Sequence, residues 1–197
     1  MPVESYRLVD SPVHFRRILP VTAAVVVFVS LLLVEGGVAV PNASLVASAK
    51  TCPGSRSFDA SPSEQRTALL CLINFARSRA GLGSVHESGT LSRVARAKGR
   101  DIVLCRDFDH RACGKPVFAK LDASGYRYRL VGENLYAAQR PTGTARDAFV
   151  AWLNSPPHRD VIFLPRFSDA GVALFPLTRF QGTHHVQLWV LQLARRA

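Results

Sequence analysis

Val131-Gly132-Glu133-Asn134-Leu135-Tyr136-Ala137-Ala138 is the stretch on which the reading of the fold turns. A carboxylate stands directly before an apolar run, with Gly132 on one side and Asn134 on the other. Leu135 to Ala138 reads as a short buried segment, which places Glu133 at the edge of the core. An ionised carboxylate there needs a hydrogen-bonding or cationic partner, or else its pKa must rise. Two candidate partners stand out: His110 in Phe108-Asp109-His110, and His158 in Ser155-Pro156-Pro157-His158-Arg159. The chain is expected to fold so that these three side chains meet.

The flanking sequence sets out helices first. Ser61-Pro62-Ser63-Glu64 supplies an N-cap hydroxyl, a proline at the first helical position and a glutamate at the third, which is a capping box. Leu69, Leu72, Ile73 and Ala76 then recur at helical spacing until Gly81 ends the run. A second helix is predicted over about Leu91 to Leu104, and a short third over Val117 to Ala123. A fourth runs from about Thr144 to Asn154 and carries Ala148, Phe149 and Trp152 inward. Ser155-Pro156-Pro157 breaks it, so His158 is expected just past a rigid turn. Gly171 to Phe175 and Val186 to Leu193 read as strands. Helices first, then strands with a helix between them, indicate α+β layers rather than a doubly wound parallel sheet.

Residues 1–17 are polar and end in Arg16-Arg17, and Ile18 to Val34 is an uncharged run of 17 residues. That length suits a signal-peptide core or a marginal membrane span, and the basic flank puts the remainder outside the cytoplasm. Residues 1–39 are therefore expected to be a signal peptide or membrane anchor, with a peptidase site after Ala39. Residues 40–59 are expected to be a linker and 60–195 the folded domain.

Export decides how the cysteines are read. All four (Cys52, Cys71, Cys105, Cys113) follow the apolar run, and an even number on the oxidising side indicates two disulfides. None is spaced C-x-x-C, which argues against a structural zinc site. Of three pairings, Cys52–Cys71 with Cys105–Cys113 is favoured: the first ties the leading segment to the first helix, and the second closes the loop carrying His110.

The formal net charge is +11, all of it beyond residue 49 and carried mostly by arginine. Such a surface attracts anionic membranes or cell-envelope polymers. With no zinc-finger spacing, RNP-like motif or long basic run, nucleic acid is not an expected partner. The sequence sets no oligomeric state.

About 60–195 resembles the CAP superfamily of cysteine-rich secretory, antigen 5 and pathogenesis-related 1 proteins, and within it the bacterial single-domain secreted branch. The matching pieces are Leu72-Ile73-Asn74 with Arg77 and Gly81-Leu82, Phe108-Asp109-His110, Gly125-Tyr126, and Gly132-Glu133-Asn134-Leu135. They continue with Ala151-Trp152-Leu153-Asn154-Ser155-Pro156-Pro157-His158-Arg159 and Gly171-Val172. The resemblance implies a three-layer α-β-α sandwich with a cleft holding two histidines and two acids, which binds a divalent metal in some members. By motif these are His110, His158 and Glu133. The second acid, expected late in the helix of Trp152, is missing, since that helix ends Trp152-Leu153-Asn154-Ser155.

His110, Glu133 and His158 are thus a candidate set for zinc or another divalent metal, with an open position for water. The competing reading is a polar network in which Glu133 accepts bonds from the histidines and pins the loops. His184-His185 precedes the last strand and reads as a solvated turn pair, and His86 and His14 have no evident partners. The resemblance implies an exported binding module for a lipid or an anionic envelope component, with membrane contact through the N-terminal helix if it is uncleaved. The alternatives are a metal-assisted hydrolase or protease using the same cleft, and a scaffold engaging a protein. Against catalysis stand the missing acid and the lack of Gly-x-Ser-x-Gly and His-Glu-x-x-His motifs.

Overall fold

The computed structural model describes residues 9–10 and 42–197. Of the expected export segment, Ile18–Val34 and His14 lie outside them, whereas Val9–Asp10 are described. No helix among the described residues is long and apolar enough to cross a membrane.

The elements in chain order are β1 (Val9–Asp10), α1 (Pro62–Arg79), β2 (His86–Glu87), α2 (Gly89–Cys105), α3 (Ala119–Asp122) and β3 (Tyr128–Gln139). α4 (Ala145–Asn154), α5 (Pro156–Phe163), β4 (Asp169–Phe180) and β5 (Thr183–Arg196) follow. The strands form one sheet in the order β1-β3-β5-β4-β2. β3 and β4 both pair antiparallel with the central β5, and β2 adds two residues parallel to β4. The chain is mixed α and β, as the element order indicated.

Side-chain alternation along the strands divides the interior in two. Ala170, Val172 and Leu174 of β4, with Trp189, Leu191 and Leu193 of β5, pack against α1, α4 and α5. Their neighbours Ala173, Phe175, Leu188 and Val190 face α2 instead. Leu121 of α3 joins Leu91, Val131 and Ala194 on that second face. Helices therefore cover both faces of the sheet.

α1 begins with the expected capping box. The Ser61 hydroxyl accepts from the Glu64 N–H, and the Glu64 carboxylate accepts from the Ser61 N–H. α4 opens with a second box, Thr144 with Asp147. α2 lies so close to β4 that two glycines are needed. A Cβ on Gly99 would overlap the Phe175 ring, and one on Gly171 would overlap the Leu91 backbone. Gly99 marks a close approach of the helix to the sheet.

Two expectations change. Residues 40–59, read as a linker, pack on the domain from Asn42 onward, with Leu45, Ala47 and Cys52 buried in the core. The Cys52–Cys71 disulfide staples this segment to α1. The proline pair after α4 does break that helix, but it also starts another. Proline lacks only an N–H that the first turn leaves unpaired anyway, so Pro156 and Pro157 open α5 and His158 sits in its first turn.

Candidate functional site

Glu133 lies near the middle of β3 and is fully buried. Like Val131 and Leu135 beside it, it faces α2. Its Oε1 accepts from Nδ1 of His110 at 2.6 Å. Its Oε2 accepts from Nε2 of Gln192, which stands directly opposite in the β3–β5 register. Lys98, buried on the inner face of α2, brings Nζ to 3.8 Å from Oε1 and donates to the backbone carbonyl of His110. Burial pushes the Lys98 ammonium below the ordinary lysine pKa, against the opposing pull of Glu133 and more weakly of Asp109, Asp101 and Asp107.

The loop carrying His110 is fixed at both ends. Arg106 takes the left-handed conformation that stops α2 (φ 52°), and Cys105–Cys113, eight apart in sequence, closes a loop around His110. Beyond the loop, Lys115 Nζ lies 2.8 Å from an Asp101 oxygen, and Lys120 lies 3.5 Å from the other. Burial works to raise the Asp101 pKa, but these two ammonium groups outweigh it and hold it below the usual value.

The structure brings His110 and Glu133 together and sends His158 elsewhere. Asn134, next in the strand, points to the opposite face, where its Nδ2 donates to the His158 backbone carbonyl at 3.0 Å. The His158 ring is itself buried, with Nδ1 2.9 Å from the Ser155 hydroxyl. One residue of strand alternation separates the two sides. Among the described residues, no three His, Cys, Asp or Glu side chains are grouped to hold a metal ion. An ammonium beside Glu133, with both carboxylate oxygens already bonded, does not fit a divalent cation. The donor set therefore matches a polar network, with Lys98 as its internal cation.

Two members of this cluster escaped the sequence reading. Lys98 follows Leu91 and Ala95 and precedes Ile102 on one apolar helix face, so a charge at that position was visible as an anomaly. Gln192 interrupts the apolar run of β5 in the same way. His86, His184 and His185 are exposed, the last two at the start of β5 rather than in the turn before it. The Nε2 atom of His110 is buried with no hydrogen-bond partner among the described residues. With Nδ1–H donated to the carboxylate, the neutral ring would present a lone pair there.

Arg77, quoted above for the resemblance, has a structural task. Fully buried in α1, it donates to the carbonyls of Gly83, Ile162, Leu164 and Phe167 at 2.7–3.2 Å. It thereby holds the end of α5 and the turn into β4 against α1.

Residues 70–191 match the model of the cysteine-rich secretory protein family, CAP. YkwD of Bacillus subtilis (strain 168), an uncharacterised protein, is 36% identical over 103 residues, which are 51% of this chain and 38% of that protein. The chain thus spans well under half the length of this relative. An extracellular protein containing an SCP domain from Bacillus anthracis str. Ames superposes with a TM-score of 0.55 at 20% identity, covering 69% of this chain and 44% of that one. An outer surface protein of Borrelia burgdorferi gives a TM-score of 0.60 at 19% identity, covering 70% of this chain and 96% of that one. A cysteine-rich secretory protein of Staphylococcus aureus gives 0.54 at 17%, covering 70% and 41%.

Proposed function

The chain belongs to the cysteine-rich secretory protein (CAP) family, and on that premise we propose that it is an exported binding module working at the cell envelope or in the extracellular space. The observation that carries this reading is the full internal commitment of Glu133. His110, Lys98 and Gln192 surround it with no solvent exposure, so the carboxylate is spent on holding the His110 loop to the sheet. A general acid or base must instead reach a substrate proton directly or through one water. The cysteines are all in disulfides, which leaves no thiol nucleophile.

Export is supported by Arg16-Arg17 followed by Ile18–Val34 and by the two disulfides. The extracellular and outer-surface character of structural relatives agrees with it. The ligand class is a lipid or an anionic envelope component, in keeping with a net charge of +11. Two measurements test the reading. A fusion of residues 1–50 to a reporter active only outside the cytoplasm should give signal. Native mass spectrometry of protein taken from envelope or medium should show a retained organic ligand. A cytoplasmic fusion, or a chain that hydrolyses envelope substrates and loses this on His110→Ala, would replace the proposal with another.

The unpartnered Nε2 of His110 favours one second reading, a hydrolase in which a Glu133-oriented imidazole acts as base. It requires an opening to a histidine that is buried here.

A further inference from the structure

The outward face of α2 carries Arg93, Arg96, Arg100 and Leu104. At 100° per residue these four fall within an arc of about 80°, and they run about 16 Å along the axis. Arg93 and Arg100 are exposed and Arg96 is half-exposed. Leu104 is 78% exposed, the one large apolar side chain so exposed among the described residues. The stripe continues past the helix end. Arg106 and Arg179 line an open cavity of about 470 Å³ with Val103, Phe180, Gln181 and Gly182. The Gln181 amide donates to the Arg106 carbonyl and joins this corner to the β4–β5 turn.

None of these five arginines forms an ion pair among the described residues. The carboxylate on the flank of the same helix, Asp101, is taken by Lys115 and Lys120. Asp107 lies half-buried in the following loop. The surface is thus a band of unneutralised guanidinium groups around one projecting leucine. A soluble polyanion would be matched by the charges alone and has no use for the leucine. A bilayer with anionic headgroups is matched by both, with guanidinium groups at phosphate level and Leu104 entering the acyl boundary.

We propose that the outer face of α2, from Arg93 to Leu104 with Arg106 and Arg179, is a docking surface for anionic lipid bilayers. This rests on the exported-module reading only for where the bilayer is met. The test is made on purified protein, so a failure of export and a failure of docking are read separately.

The full chain carries its own apolar N-terminal run, so partitioning alone is uninformative and the readout must come from α2. The full-length L104W variant is reconstituted with brominated phosphatidylcholine vesicles, with or without brominated phosphatidylglycerol. Trp152 and Trp189 are buried and set a constant background in the wild type. The expected result is quenching of the added indole that requires phosphatidylglycerol and falls with salt. Adding R93Q, R96Q and R100Q should remove it, because three arginines together account for on the order of a hundredfold in surface affinity. An unchanged urea midpoint shows that the variant is folded. Quenching equal in both vesicle types, quenching that survives the triple substitution, or none above background would overturn the proposal. So would binding to soluble polyglutamate without quenching in vesicles, which would assign the face to an acidic polymer.

Discussion

Nδ1 of His110, inside a disulfide-closed loop, sits 2.6 Å from Oε1 of Glu133, twenty-three residues away in sequence. The carboxylate has no access to water, so this contact and its neighbours replace hydration entirely. Replacing Glu133 by Gln keeps the shape but removes the charge that His110 and Lys98 address. Stability should fall by about 1–3 kcal/mol, read as a lower urea midpoint at unchanged m-value. Adding Lys98→Met to that variant should recover part of the loss, since it removes a buried cation left without its counter-charge. A loss no smaller in the double variant would show that Lys98 and Glu133 are not coupled.

Lys98 also makes a signed prediction about pH. Its folded pKa is lowered, chiefly by burial, below the ordinary 10.5. Between the lowered value and 10.5 the unfolded chain binds more protons, so this group's contribution to stability rises with pH. Below that window the desolvation penalty is fully present. The stability of wild type minus that of Lys98→Met should therefore increase from neutral pH toward 10.5. A flat difference across that range would contradict the burial argument.

Added zinc should leave the melting temperature of the wild type nearly unchanged, because a ligand stabilises only by binding the native state. The Lys98–Glu133–His110 cluster offers two ligand side chains and an opposing ammonium. A concentration-dependent rise in melting temperature, lost on His110→Ala, would show that the cluster rearranges around metal.

Arg77→Lys should be costly although it conserves charge. A guanidinium reaches four carbonyls through three nitrogens in one plane, and an ammonium cannot reproduce that fork. At least two buried carbonyls would lose their donor, at about 1–3 kcal/mol each. Thermal unfolding of the variant measures the loss, and a change under 1 kcal/mol would mean that water replaces the missing bonds.

Peptide mapping without reduction should return Cys52–Cys71 and Cys105–Cys113. Removing the second pair as serines should cost about 2–3 kcal/mol for a ring of that size. A Cys71–Cys105 crosslink would contradict the fold around His110.

Local signals carried much of this structure. Ser61 with Glu64, the 3.6-residue periodicity of α1 and the apolar runs of β4 and β5 all depend on neighbours in sequence, and each is found where its residues place it. Of the two partners expected for Glu133, His110 is found beside it, and the carboxylate expected at the core edge is fully buried. What failed was long-range. Whether Glu133 or Asn134 faces α5 depends on strand register, and a shift of one residue exchanges the two faces. The expected meeting of His158 with Glu133 is therefore not found, because the strand turns Asn134 toward His158 instead. The segment from Asn42 to Asp59 looked like a linker because its buried residues, Leu45, Ala47 and Cys52, follow no helix or strand period.

The two glycines between α2 and β4 set a length rule for the domain. From Leu91 to Gly99 the helix advances about 12 Å, and from Gly171 to Phe175 the strand advances about 13 Å. Helix and strand thus touch at two marks of nearly equal spacing, each permitted by the absence of a Cβ. Inserting one residue between Arg93 and Lys98 would rotate everything beyond it by about 100°. Lys98 would leave Glu133, and the arginine stripe would break in the middle. The inner polar cluster and the outer charged face are therefore graduated on the same scale, and additions to the chain are tolerated only outside the interval that these glycines measure.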